Sequence, residues 1–309
     1  MINPNLEAKD RIHSELPEDI KNLMEKYVLT KQEHDDILED IKKDSYYGKS
    51  KVKNPKFIIV LGQTGSGKSN LTAKIISDNP NIVAIDSDKY KEYRPDSQEI
   101  LRDHLVEYAF LTAPDAYQHR DEMICDAMDK RYNILMECAT SEKEGMFVDL
   151  DKIQQAGYEV ELAVLGVGQL NSMLSVHERY EAQILLNYPA AKLTRLNRHD
   201  DSYSSLAKSI KNTQDENIKI MIYERGKNFP FVPEKVYSST DECQRFQTAV
   251  EALEFTRNKD NKETMKNFNE RYMSILGQMF HRNAPEQQVQ QLESIRSRYK
   301  EIEDNNMER

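Results

Sequence analysis

Phe57-Ile-Ile-Val-Leu61 runs without a break into Gly62-Gln63-Thr64-Gly65-Ser66-Gly67-Lys68-Ser69, and this junction decides the fold. Five consecutive apolar residues, rich in β-branched side chains, suit a strand buried on both faces of a parallel sheet. The eight that follow fit G-x-x-x-x-G-K-[ST] without a mismatch, and the periodic segment Asn70 to Ser77 predicts a helix after them. Each residue type has a physical reason. Gly62, Gly65 and Gly67 allow backbone angles and close approach that a side chain would block. The turn aims successive N–H groups inward and makes an anion nest at the positive end of the following helix. Lys68 adds a point charge for terminal phosphates, and the Ser69 hydroxyl is placed to ligate Mg²⁺ beside a bound nucleotide.

Outward from the loop, short apolar runs recur at Ile82 to Ile85, Ile134 to Met136, Val160 to Val167 and, weakly, Lys235 to Tyr237. Helical patterns lie between them at Gln98 to Phe110, Ala116 to Arg131, Phe147 to Gln155 and Leu170 to Leu186. Strands alternating with helices predict an α/β fold with a mostly parallel sheet of about five strands. Residues 1–50 carry no strand signal. Ser14 to Tyr27 reads as one helix, and the Thr30-Lys-Gln-Glu33 capping box opens a second with Ile37, Leu38 and Ile41 on one face. After residue 240 three stripes mark helices: Phe246, Val250 and Leu253; Phe268, Tyr272, Leu276 and Met279; and Val289, Leu292, Ile295, Tyr299 and Ile302. The chain therefore divides into a helical amino-terminal arm (1–50), a nucleotide-binding core (51–240) and a helical extension (241–309).

The 309 residues carry a formal net charge of −10 and 31% charged side chains. That balance argues against sequence-independent binding to nucleic acid, which needs a dense basic face. No stretch approaches the ~20 apolar residues that span a bilayer, and the amino terminus lacks the cationic and apolar regions of a signal peptide. Cys125, Cys138 and Cys243 are odd in number and far apart, so buried thiols in a cytoplasmic protein are expected rather than disulfides or a zinc site.

Ile85-Asp86-Ser-Asp88 puts two carboxylates where the second strand leaves the sheet, and in open α/β sheets ligands bind outside the carboxyl ends of strands. A kinase needs a group there to orient an acceptor hydroxyl and take its proton, the role expected of Asp88. Helix capping is the structural alternative for both acids, and Asp86 could instead support the loop or a metal's water shell. The third strand ends Leu135-Met-Glu137-Cys-Ala-Thr140, which gives Glu137 a comparable place, for substrate or a metal-bound water.

These blocks, GQTGSGKS, IDSDKYKEYRPD, NILMECATS and SVHERYEAQ, resemble in order and spacing those of the zeta toxin family of P-loop kinases, over roughly residues 55 to 225. The resemblance implies ATP-dependent, magnesium-assisted phosphorylation of a UDP-N-acetyl sugar hydroxyl by a bacterial toxin restrained by a helical antitoxin. That inhibitor would act in trans, or in cis as residues 1–50. It also implies Asp88 as catalytic base, Lys68, Ser69 and Arg179 at the nucleotide phosphates, and Glu137 as the acid at the third strand's end. Arg179 has independent sense: a guanidinium offers bidentate contacts to oxygens on which transition-state charge spreads. Its structural alternative is a surface ion pair with Glu178 or Glu181. A second phosphate-contacting arginine is expected before an His-Asp pair. Here His199-Asp200 is present, the best-spaced position holds Lys192, and Arg195 and Arg198 lie close by. The glycine and threonine that follow the acid in the family are Cys138 and Ala139 here, with Thr140 next, while Tyr117, His119 and Arg120 resemble part of the substrate region. Two other readings stay open: the same kinase core acting on a nucleotide, antibiotic or RNA end, or a nucleotide-hydrolysing switch. No guanine-selecting N-K-x-D element or Walker B strand supports the switch.

Overall fold

A computed structural model describes residues 18–104, 107–140, 148–186, 191, 193–213, 217–227, 231–242 and 245–307. Its six strands are β1 (Lys56–Leu61), β2 (Ile82–Ile85), β3 (Asn133–Cys138), β4 (Glu159–Gly166), β5 (Lys219–Glu224) and β6 (Glu234–Ser238). They form one sheet in the order β2-β3-β1-β4-β5-β6. β2 pairs β3 and β4 pairs β5 in parallel, whereas β6 runs antiparallel to β5. The mostly parallel sheet is as expected, with two differences. The fifth parallel strand is Lys219–Glu224, whose short apolar centre lies between charged ends and escaped the reading. The segment read weakly as the fifth, Lys235 to Tyr237, is the antiparallel sixth.

The chain forms two compact units, residues 1–58, 78–136 and 148–160 in the first and 59–77, 137–147 and 161–309 in the second. In the first, the arm supplies α1 (Glu18–Lys26) and α2 (Lys31–Tyr46). Thr30 and Glu33 form the expected capping box, and Ile37, Leu38 and Ile41 are buried. The other helices of this unit are α4 (Ser87–Tyr90), α5 (Ser97–Asp103), α6 (Tyr108–Asp129) and α7 (Leu150–Gln155), with α3 (Lys68–Asp78) in the second unit. The arm packs on α6: the rings of His34 and His119 stack 4.0 Å apart, and Tyr46 donates to Asp126 at 2.6 Å. Arg94 is buried and donates to the Tyr27 carbonyl at 2.6 Å while pairing with Asp96 and Asp115, which ties α1 to this layer.

The second unit holds α8 (Gln169–Leu185), α9 (Leu196–Thr213), α10 (Ala249–His281) and α11 (Glu286–Met307). The stripes at 246–253 and 268–279 belong largely to one 33-residue helix, α10. Its core is Leu170, Met173 and Leu174 of α8, Phe268, Tyr272, Ile275 and Met279 of α10, and Leu292, Ile295 and Tyr299 of α11. Phe268 stacks on Tyr299 at 4.1 Å. No described helix is long and apolar enough to cross a membrane. Cys138 is buried and Cys125 half-buried; Cys243 lies outside the described residues.

Candidate active site

The phosphate loop sits between the buried end of β1 and the first turn of α3, where the sequence places it. Gly65 and Gly67 have φ of +80° and +92°, the left-handed region that a side chain makes costly. The loop is backed by α8. Gln63 is buried and its Nε2 donates to the Val167 carbonyl at 2.8 Å and to Ser172 Oγ at 3.2 Å. A methyl group on Gly65 would meet the Ser172 carbonyl oxygen at 2.1 Å. Ser172 Oγ also lies 2.8 Å from His199 Nε2, and His199 Nδ1 is 3.2 Å from Asp200. Arg298 of α11 closes the chain with two 2.8 Å bonds to Asp200. The His-Asp pair thus buttresses the loop through Ser172. Burial holds His199 below the usual imidazole range against the pull of Asp200. Burial also tends to raise Asp200, but the bonds from Arg298 and His199 outweigh it and keep its carboxyl low.

Lys68 Nζ donates to the carbonyls of Gly62 at 2.8 Å and Gln63 at 3.3 Å, so its charge lies on the loop itself. Ser66 Oγ and Gln63 Oε1 are buried and have no hydrogen-bond partner among the described residues. Ser69 is exposed in the first turn of α3, and Thr64 is half-buried on the loop. At the end of β3, Glu137 accepts from Thr72 Oγ1 at 2.7 Å, which fixes the carboxylate against α3. Thr140 is buried and bonded to Ser205 Oγ at 2.8 Å, which ties it to α9.

Arg179 is exposed on α8. The two glutamates of the ERYE block are engaged elsewhere, each by a residue of the carboxyl-terminal helices. Arg271 grips Glu178 at 2.7 and 2.8 Å, and Arg282 grips Glu181 at 2.7 Å through both nitrogens. Both glutamates thus have partners far along the chain, in the carboxyl-terminal helices. Arg195 and Arg198 are exposed around the start of α9, and Arg198 lies 3.8 Å from Asp201. Lys192 lies outside the described residues.

Two cations, one of them beside the loop, were not foreseen. Arg225, just past β5, stands 3.9 Å from where a methyl on Gly67 would be, and Arg271 meets it on Asn171 and Ser175. A lone arginine in a charged turn carries no sequence signal.

In the first unit, Asp86 caps α4 and accepts the Asp88 N–H at 3.0 Å. Asp88 is exposed and its Oδ1 bonds Lys91 Nζ. α4 packs on α6, which carries the three candidate substrate residues. Tyr117 is exposed with the Arg120 guanidinium 5.0 Å from its ring centre, and Arg120 pairs with Asp121 at 2.7 Å. His119 is buried under the arm, its Nε2 3.1 Å from the His34 carbonyl, and burial lowers its proton affinity.

A buried strand, a left-handed glycine turn, a lysine folded over it and a helix define a P-loop, and the strand order around it is that of a P-loop kinase fold. The profile of the Zeta toxin family matches residues 39–236, so the chain belongs to that family. It is 27% identical over 181 residues to toxin zeta of Enterococcus hirae, covering 58% of this chain and 62% of that protein. Against Toxin PezT of Streptococcus pneumoniae it is 27% identical over 184 residues, covering 59% and 73%. The match thus spans about three fifths of the length of the first of these relatives. A solved structure from the PezAT chromosomal toxin–antitoxin system of Streptococcus pneumoniae superposes with a TM-score of 0.66 at 22% identity, over 80% of this chain and 98% of that one.

Proposed function

We propose that this protein is an ATP-dependent kinase of the zeta toxin type, which phosphorylates a hydroxyl of a UDP-N-acetyl sugar and acts as a toxin in the bacterial cytoplasm. The observation that carries the reading is the loop itself. Lys68 rests on two loop carbonyls, and the buried Ser66 hydroxyl lacks a partner, a donor free for an anionic guest of the left-handed glycine turn.

Transfer forms a bond between the acceptor hydroxyl oxygen and the γ-phosphorus and breaks the bond from that phosphorus to the bridging β–γ oxygen, releasing ADP. The hydroxyl proton goes to Asp88. Lys91 occupies one of its oxygens and leaves the other to accept. Lys68 and Arg179 hold the oxygens on which charge accumulates. Glu137, fixed by Thr72, holds the acceptor or a metal-bound water, and Tyr117 and Arg120 belong to the acceptor side. No cluster of three or more His, Cys, Asp or Glu side chains that could hold a metal exists among the described residues. The Ser69 hydroxyl would be this chain's ligand to a magnesium ion brought in by the nucleotide, the rest of its shell being phosphate and water oxygens. Such an ion would supply charge neutralisation at the phosphates.

The arm's apolar face is spent on its own unit, with Ile37, Leu38 and Ile41 buried and His34 stacked on His119. That favours a structural arm and an inhibitor supplied in trans by a helical antitoxin. Removing residues 1–50 then gives an aggregated or inactive protein; a soluble truncation with higher turnover would make the arm an inhibitor in cis.

Incubation with labelled ATP and a panel of UDP-sugars tests the function. The expected product is a phosphorylated UDP-N-acetyl sugar. Label on another acceptor alone would replace the substrate, and nucleotide hydrolysis without any acceptor would replace the kinase by a switch.

A further inference from the structure

Arg225 is a half-buried guanidinium with no carboxylate in ion-pair contact among the described residues. Its Nη1 donates to Ser175 Oγ at 2.9 Å and Asn171 Oδ1 at 3.4 Å. Its plane lies over the ring of Phe231, 4.9 Å from the centroid. Nε and Nη2 donate to no described protein acceptor, and Nε is the atom that faces Gly67 of the phosphate loop at 3.9 Å from a notional methyl.

The surroundings do not complete this group. Arg271 shares Asn171 and Ser175 with it, at 2.8 and 3.2 Å, and already holds both in place while satisfied by Glu178. Asp260 spends its carboxylate on the Gly168 N–H at 2.8 Å and on Asn171 Nδ2 at 2.9 Å. Burial and then the second arginine lower the proton affinity of Arg225 and outweigh the opposing pull of Asp260 and Glu178, neither of which is in ion-pair contact with it. A guanidinium cannot escape by losing its proton, so the position calls for an anion. Phe231, whose ring lies under the guanidinium, is itself held at φ +55°, a costly conformation for a bulky residue. Gly226 leaves no room for a side chain, since a methyl there would meet the Val232 carbonyl at 2.3 Å. Gly226 and Phe231 thus both bear on where Arg225 stands.

We propose that Arg225 is a phosphate-contacting residue of the nucleotide site, donating from Nε and Nη2 to phosphate oxygen of the nucleotide seated on Gly62 to Ser69. This rests on the loop's reading as a nucleotide cradle. It adds a cation from beyond β5, independent of the lysine of the loop and of Arg179 on α8. Asn171, Ser175 and Phe231 are its positioning residues.

The test is calorimetric titration of the full chain with a non-hydrolysable ATP analogue plus magnesium and, separately, with inorganic tripolyphosphate. Wild type is compared with R225Q, R225K and K68A. A charge-assisted contact predicts roughly 10- to 100-fold weaker binding of both ligands to R225Q, an intermediate loss for R225K, and an unchanged or higher melting temperature. Equal affinity of R225Q and wild type would overturn the proposal. So would a loss confined to the ATP analogue with tripolyphosphate unaffected, which would mean contact with base or ribose. A lower melting temperature restored by R225K, with affinity unmoved, would make Arg225 structural. If folded wild type and K68A bind neither ligand, the cradle reading fails and takes this inference with it; if wild type binds and only K68A is impaired, Arg225 alone is refuted.

Discussion

Replacing Gly65 by alanine probes the loop where it is least able to yield. The new methyl would stand 2.1 Å from the Ser172 carbonyl oxygen and 2.9 Å from Val176 Cγ2, on a backbone with φ +80°. A valine methyl can rotate away. The carbonyl cannot, because it belongs to the backbone of α8, whose side-chain hydroxyl at the same residue bonds Gln63 and His199. A left-handed alanine costs about 1–2 kcal/mol, and overpacking a filled site adds about 1–3 kcal/mol. If the loop keeps its place, the fold loses roughly 2–5 kcal/mol, which for a chain of this size lowers the melting temperature by about 3–8 °C. If instead the loop lifts from α8, the Gln63 bonds break, the N–H groups lose their common focus and nucleotide affinity falls by two orders of magnitude or so. The assay pairs thermal unfolding with titration of an ATP analogue, and Gly277→Ala serves as the internal control. Gly277 lies inside α10 with nothing within 4 Å of a methyl, so alanine there should stabilise by about 0.5–1 kcal/mol. A Gly65→Ala protein with wild-type melting and wild-type affinity would refute the packing of loop on helix.

Glu181→Ala removes one side of a pair in which the glutamate is 2% exposed and leaves Arg282 with only Gln288 and the Tyr180 ring. Urea denaturation should show a loss of about 3 kcal/mol, the low end for breaking a buried pair, and a cycle with Arg282→Ala should be strongly non-additive; additive single effects would argue against coupling. Asp88→Asn should keep nucleotide affinity and lower turnover by about 10²- to 10⁴-fold, because an amide cannot accept the hydroxyl proton; weaker ATP binding at full turnover would move Asp88 to the metal's shell. His177 is buried, and burial, opposed by Glu181 and aided by Arg282, holds its ring down to about 4 from an ordinary 6.5. The unfolded chain therefore takes up a proton that the folded one refuses as pH falls through this window. Stability should drop between about pH 6.5 and pH 4, by on the order of 3 kcal/mol for this residue, and a flat urea midpoint from pH 7 to 5 would contradict its burial.

The loop was legible because its chemistry is contiguous: eight positions, a strand before and a helix after, with nothing that depends on remote contacts. β5 was harder. Lys219-Ile-Met-Ile-Tyr-Glu224 has only a short apolar centre, and missing it made the next segment look like a parallel strand. Only residues 225–233 separate β5 from β6, too few for the crossover that a parallel neighbour requires. The antiparallel direction thus follows once β5 is placed. ERYE shows the opposite limit. Its glutamates read as helix-surface charges with local partners, but Arg271 and Arg282 lie 93 and 101 residues further along the chain.

The long helix α10 explains why the carboxyl-terminal region read as separate stripes. Between its apolar ends, Thr256 to Thr264 is polar, and such a stretch usually marks solvent or a break. Here it is packed against the start of α8. Gly168, the N-cap of that helix, has no side chain to satisfy the free N–H groups. Asp260 accepts the Gly168 N–H at 2.8 Å and Asn261 accepts the Leu170 N–H at 3.2 Å, so the cap is supplied by another helix. The approach is close enough to dictate the glycines: a methyl on Gly168 would meet Asn261 Oδ1 at 2.3 Å, and one on Gly166 would meet Thr256 Oγ1 at 1.9 Å. The helix so anchored carries Ser172 behind the phosphate loop, Asn171 and Ser175 under Arg225, and Arg179 one turn beyond. The polar interruption in α10 is what fixes the origin of α8, and through it the height at which each of these side chains meets the loop.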